Sequence, residues 1–244
     1  MRRSKLPLLA ASFVAAAFAL SGCVFSFGSG SGEESSDVSV SEHPLNFGVG
    51  GVTFTEDGVL TTESGPVVAA PPESDVPDVA LIFDPMCPHC ATFEETSGPA
   101  LKELVDNGDI TLTMYPLAFV SPTASVDSVN ALMAVTTYHP DAAYEFQSQL
   151  LAANLASQGS GLNDDELVSL AAEAGADSEE VESIIRNGTY NSFVDTIDGS
   201  LRGQTFPGTS VEVAGTPMVI VDGRSVEPAA IGSDAATALA ALQQ

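Results

Sequence analysis

Cysteine, histidine, tryptophan and basic residues are all scarce in this chain of 244 residues, and each shortage excludes something. Three cysteines are too few for a disulfide scaffold, and they include a single Cys-x-x-Cys pair, Cys87 and Cys90. A structural zinc ion needs four ligands, usually two such pairs or one pair plus histidines. The histidines here are His43, His89 and His139, scattered along the chain, so no metal is expected. Covalent haem attachment needs a histidine directly after the second cysteine, and that position is Ala91. Seven Lys and Arg face 33 Asp and Glu, for a net charge of −26. Such a surface repels nucleic acid and anionic lipid headgroups, which removes both as binding partners. No fixed-period repeat is present, so a solenoid is excluded. The longest apolar run, Leu6 to Leu20, is short of the roughly 20 residues that a membrane-spanning helix needs.

That run has a different use. Met1-Arg2-Arg3-Ser4-Lys5 is a basic leader, the apolar stretch follows, and Leu20-Ser21-Gly22-Cys23 closes it with small residues before a cysteine. The last four residues resemble the lipobox of bacterial lipoproteins. That resemblance implies Cys23 as the first mature residue, with a diacylglyceryl group on its thiol and the chain anchored outside the cytoplasm. An ordinary signal peptide with an incidental cysteine is the plainer alternative. Export implies an oxidising compartment, and acylation of Cys23 leaves Cys87 and Cys90 as the only thiols. The mature chain keeps Lys102, Arg186, Arg202 and Arg224 as its cations, and the acidic excess serves solubility.

Residues 23–46 read as a tether, small, polar and acidic, with too little apolar surface to offset the entropy of ordering. Residues 47–77 form an N-terminal extension, in which Val52–Thr55 and Val59–Thr62 can pair as a hairpin around Glu56-Asp57-Gly58. The ordered domain is expected from Asp78 to the end, residues 78–244. Val79 to Phe83 is a continuous apolar run of buried-strand length, a helix follows from Cys87 to about Asn107, and Ile110 to Leu117 is a second strand. This order makes a parallel pair with a crossover helix. Residues 124–204 change to helical spacing, with a capping box at Asn163–Glu166 and a second signature at Asp177 with Glu180, ended by Gly188. Strand patterns return at Val211–Val213, Met218–Val221 and Ser225–Val226, and a helix from about Asp234 to Leu242 ends the chain. The expected fold class is therefore α/β, β-α-β then β-β-α around an all-helical insertion.

A redox disulfide asks only for the cysteine pair, a helix start and an acceptor surface. A helix beginning near Cys87 puts its sulfur among unpaired N–H groups at the positive end of the helix dipole. These favour the thiolate, the attacking species. Pro88 suits the first turn, where its missing N–H costs nothing. His89 adds a donor or a positive charge, and Cys90, one turn in, is the resolving thiol. Asp84 is expected to turn the strand–helix junction.

Cys87-Pro88-His89-Cys90 after a buried strand, with Gly215-Thr216-Pro217 ahead of another, resembles the thioredoxin superfamily. With the helical insertion, the pattern is similar to its DsbA-like thiol:disulfide oxidoreductases. The resemblance implies a thioredoxin-like fold with a mixed central sheet, and no cofactor beyond a redox-active Cys87–Cys90 disulfide. It implies a cis proline at Pro217 that, with Thr216, shapes the groove for substrate backbone. It also implies exported cysteine-containing clients, a membrane reoxidant of the DsbB or VKOR type, and a monomer. Thioredoxins proper carry a buried acid six residues before the first cysteine, where this chain has Leu81. Thr216 stands where valine is usual in DsbA itself and is more like the isomerases. A thiol oxidase is the leading reading, with an isomerase or reductase, or a non-catalytic peptide-binding lipoprotein, open to the same residues.

Overall fold

The computed structural model describes residues 38–63 and 68–244. The leader 1–22, Cys23 and most of the tether lie outside the described residues.

Among the described residues, six strands form one mixed sheet: β1 (Val52–Thr55), β2 (Gly58–Val59), β3 (Asp78–Phe83), β4 (Thr111–Pro116), β5 (Met218–Val221) and β6 (Arg224–Val226). Their order across the sheet is β2-β1-β4-β3-β5-β6. β3 lies in the middle because its side chains are apolar on both faces, and Val79 through Phe83 are all buried. It runs parallel to β4, and α1 (Pro88–Asp106) makes the crossover. β5 runs antiparallel to β3, with Ile82 opposite Met218. A tight turn at Asp222-Gly223, both at positive φ, returns the chain into β6.

The sheet begins earlier than the sequence suggests. β1 pairs antiparallel with β4, Val52 opposite Met114, and Phe47, Val52 and Phe54 are buried in the common core. The domain therefore does not start at Asp78. The hairpin partner β2 is only two residues long, shorter than the expected Val59–Thr62. The end of the presumed tether is also docked: the N–H of Ser41 donates to the Tyr138 hydroxyl, and that of Leu45 to Thr137. Val211–Val213 is not a sheet strand. It makes one isolated bridge, Glu212 to Thr205, in a loop of its own.

The insertion comprises α2 (Ala124–Tyr138), α3 (Ala143–Ala156), α4 (Asp164–Glu173), α5 (Glu179–Asn187) and α6 (Asn191–Leu201). α2 is its axis and touches the other four helices. From Ser128 to Thr137 it is buried on every side, and its polar Asn130 is satisfied there, its amide donating to the Ile184 carbonyl and accepting from the N–H of Tyr190. The capping box at Asn163 and Glu166 is formed, and Gly188 ends α5 in the left-handed conformation. The cap of α5 is Ser178 rather than Asp177, its side chain accepting from the N–H of Val181. α7 (Ala235–Leu242), capped by Asp234, packs on α1. Among the described residues, no helix is long and apolar enough to cross a membrane.

Candidate functional site

The strand register assembles the site. The pairing of Ile82 with Met218 brings the residues just before β5 level with the end of β3. The parallel pairing of Phe83 with Pro116 brings the loop after β4 to the same end. Three distant segments thus meet where β3 turns into α1.

Asp84 makes that turn. It is fully buried, and its carboxylate accepts from the N–H of Met86 at 2.7 Å, the N–H of Val120 at 2.7 Å and the Ser125 hydroxyl at 2.9 Å. Its backbone carbonyl accepts from the N–H of Cys87. One side chain therefore ties the turn to the loop after β4 and to the first turn of α2. Burial raises its pKa, against the lowering effect of these donors.

Cys87 is the N-cap of α1, in extended conformation, and Pro88 opens the helix. Both sulfurs are thiols and both residues are buried, Cys87 at 5% exposure and Cys90 at 2%. The Cys87 thiol lies 3.4 Å from the Thr216 carbonyl, across 129 residues of sequence. The Thr216–Pro217 bond is cis. The pKa of Cys87 is lowered to about 5, first by a hydrogen bond from Cys90, against the opposing effect of burial. The Thr216 side chain and the backbone N–H groups of Cys90 and His89 lower it further. Cys87 makes no side-chain cap of ordinary hydrogen-bond geometry, so those N–H groups act through the helix-end dipole. Burial pushes the Cys90 thiol far up, and donating its proton to Cys87 pushes the same way. One sulfur is a thiolate at neutral pH and the other holds its proton. His89 is exposed beside them.

The sequence-predicted residues Cys87, Pro88, His89, Cys90, Thr216 and Pro217 are thus brought together, while Cys23 is outside the described residues. Sequence reasoning missed Glu94. It lies one turn beyond Cys90, is buried, and has its pKa raised chiefly by that burial, with Gln147 3.4 Å away. Gly98 makes the room: a Cβ there would sit 2.5 Å from the carboxyl. A glycine inside a strong helix pattern was the available signal, because it weakens a helix and marks a close approach. Among the described residues, no group of three or more His, Cys, Asp or Glu is gathered so as to hold a metal ion.

A sequence model of the thioredoxin family matches residues 73–239. No curated protein matches the chain. Among solved structures, oxidised DsbA of Mycobacterium tuberculosis is 26% identical with a TM-score of 0.56, covering 74% of this chain and 88% of its own. The reduced disulfide oxidoreductase DsbG of the same organism is 25% identical with a TM-score of 0.55, covering 74% and 83%. Oxidised BdbD of Bacillus subtilis shares the fold at 17% identity, with a TM-score of 0.58 over 84% and 96%.

Proposed function

The chain belongs to the thioredoxin family and is a thiol–disulfide oxidoreductase of the DsbA type, and from this premise we propose that it works as a thiol oxidase on exported proteins. The observation that carries the direction is the contrast between the two sulfurs: Cys87 ionises near pH 5, while Cys90 keeps its proton. A couple whose reduced form is stabilised in this way is an oxidising couple.

The steps follow from that contrast. A client thiolate attacks Cys87 of the Cys87–Cys90 disulfide, forming a mixed disulfide and expelling Cys90 as a thiolate. Buried, Cys90 takes up a proton. A second client thiolate then attacks the client sulfur of the mixed disulfide, and Cys87 leaves as a stable thiolate. Two electrons pass from the client dithiol to the protein. Of the two client protons, one ends on Cys90 and the other in solvent. Thr216 and Pro217 supply the backbone edge on which the client lies, and His89 is at its rim. No cofactor beyond the cysteine pair is required. Turnover needs a membrane reoxidant of the DsbB or VKOR type.

A Cys90→Ser variant tests this reading. It is expected to accumulate mixed disulfides through Cys87, and a variant that traps nothing would leave a peptide-binding role instead. Thr216 favours one second reading, an isomerase or reductase, which requires a lower potential than an oxidase. The leader and Leu20-Ser21-Gly22-Cys23 support a lipid anchor on Cys23 outside the cytoplasm. Cys23→Ser is then expected to move the protein from the membrane fraction to the soluble exported fraction; unchanged partitioning would refute the anchor.

A further inference from the structure

A groove of about 470 Å³ lies beside the cysteine pair, between the exposed face of α1 and the segment after β6. Its α1 wall carries His89 and Thr92, with Phe93 beneath, and its other wall carries Pro217, Pro228 and Glu227. His89 sits between the two cysteines in sequence, and Pro217 follows the Thr216 carbonyl that meets Cys87, so the groove adjoins the reacting pair through these two residues. Its prolines and Phe93 suit an extended segment. Glu227 is the one carboxylate along it, and no lysine or arginine lines it. Glu227 is exposed just before the short 3₁₀ turn Pro228–Ala230.

No lysine or arginine of the described residues is placed to neutralise that carboxylate, and the cation nearest to it in the groove's lining is the imidazole of His89 on the opposite wall. Lys102 is paired with Asp106, Arg186 with Asp165 and Glu182, and Arg202 with Asp198. Arg224, three residues away, donates to the Leu242 carbonyl. Among the described residues, no ion pair or side-chain hydrogen bond engages Glu227.

We propose that Glu227 makes this groove selective for client segments that carry a lysine or arginine near the reacting cysteine. The inference rests on the oxidase reading above and adds its substrate class. Glu227 lines the same groove as His89 and Pro217, the neighbours of the reacting cysteines and of the Thr216 carbonyl, so a client side chain that reaches it is carried by the segment around the reacting cysteine. The overall negative charge draws cationic clients from a distance, and Glu227 sets which register of the bound chain is favoured.

The test is a set of short reduced dithiol peptides, alike except for Lys, Gln or Glu at the two positions on either side of the reacting cysteine. Their kcat/KM values are compared for the oxidised wild-type protein, Glu227→Gln and Asp109→Asn. Asp109 lies just beyond the opposite end of α1, so its variant removes an equal charge far from the groove. The wild type is expected to prefer Lys over Glu peptides, and Glu227→Gln to cut that ratio by about threefold, the scale of an exposed ion pair. Asp109→Asn is expected to keep the wild-type ratio. An unchanged ratio in Glu227→Gln, or an equal loss in Asp109→Asn, would overturn the assignment while leaving the oxidase reading intact. Failure of the wild type to oxidise any peptide would overturn both.

Discussion

Titrated by its ultraviolet thiolate absorbance, the reduced protein is expected to ionise one thiol with a midpoint near pH 5, and the other nowhere below the alkaline limit of stability. The first is Cys87, drawn down from an ordinary 9.0 by its hydrogen bond from Cys90 and by the contacts of Thr216 and the helix start. The second is Cys90, held protonated by burial. Because the folded pKa of Cys87 lies below its unfolded value, the thiolate stabilises the reduced fold above the unfolded pKa. That contribution is lost as pH falls from 9 to 5. At pH 7, two units above the folded pKa, it is about 3 kcal/mol by linkage. Denaturation of the reduced protein at pH 5 and pH 7 measures it, once the same difference in a Cys87→Ala variant is subtracted to remove the other titrating groups.

The same ionisation sets the potential. Among thiol–disulfide couples, a nucleophile of pKa about 7 goes with about −270 mV and one of about 3.5 with about −120 mV. A value near 5 falls between them, so the Cys87–Cys90 couple is expected near about −180 mV, read by equilibration with glutathione buffers. A potential at or below about −250 mV would mark a reductant and remove the oxidase assignment. A thiol midpoint of 8 or above would show that the Cys90 and Thr216 contacts do not act on the sulfur.

Much of this site is legible in the sequence because its chemistry is local. Cys87, Pro88, His89 and Cys90 occupy one helical turn, and an apolar run before them announces the buried strand. The helical insertion is equally readable, since its caps at Asn163 and Gly188 are carried by neighbouring residues. The failures are of two kinds. Where adjacent residues compete, spacing alone does not choose: Asp177 and Ser178 are both good caps, and Ser178 wins because its oxygen reaches the N–H of Val181. Where a partner is remote, the pattern is mute. β1 is four residues long, and its place in the sheet depends on β4, with Thr53 hydrogen-bonded to Thr113. Val211–Val213 has the composition of a strand but pairs only with the nearby loop Gly203–Phe206, outside the sheet. Glu94 reads as the polar face of an amphipathic helix until α3 is seen to cover it.

Asp84 joins local and remote order, and its removal is expected to have the largest effect on stability. Asp84→Ala leaves the N–H groups of Met86 and Val120 and the hydroxyl of Ser125 without their acceptor in a buried place. Each such group costs about 1–3 kcal/mol. The loss is partly offset because the variant no longer buries a carboxyl whose ionised form burial disfavours. A net cost of about 3 kcal/mol follows, or a fall in Tm of roughly 6–12 °C for a domain of this size. Asp84→Asn keeps the shape and one acceptor oxygen and is expected to cost less. Its pH dependence carries a distinct sign. The folded pKa of Asp84 is raised, so its protonated form favours the fold below the unfolded pKa, and that advantage is lost as pH rises through the folded value. The asparagine does not titrate, so the stability of wild type minus that of Asp84→Asn is expected to fall as pH rises. Chemical denaturation of the oxidised proteins across the acid range measures this difference without interference from Cys87. A difference that rises with pH would mean that the three donors, rather than burial, govern this carboxylate. An alanine cost below about 1 kcal/mol would mean that the turn into α1 is held by its backbone alone.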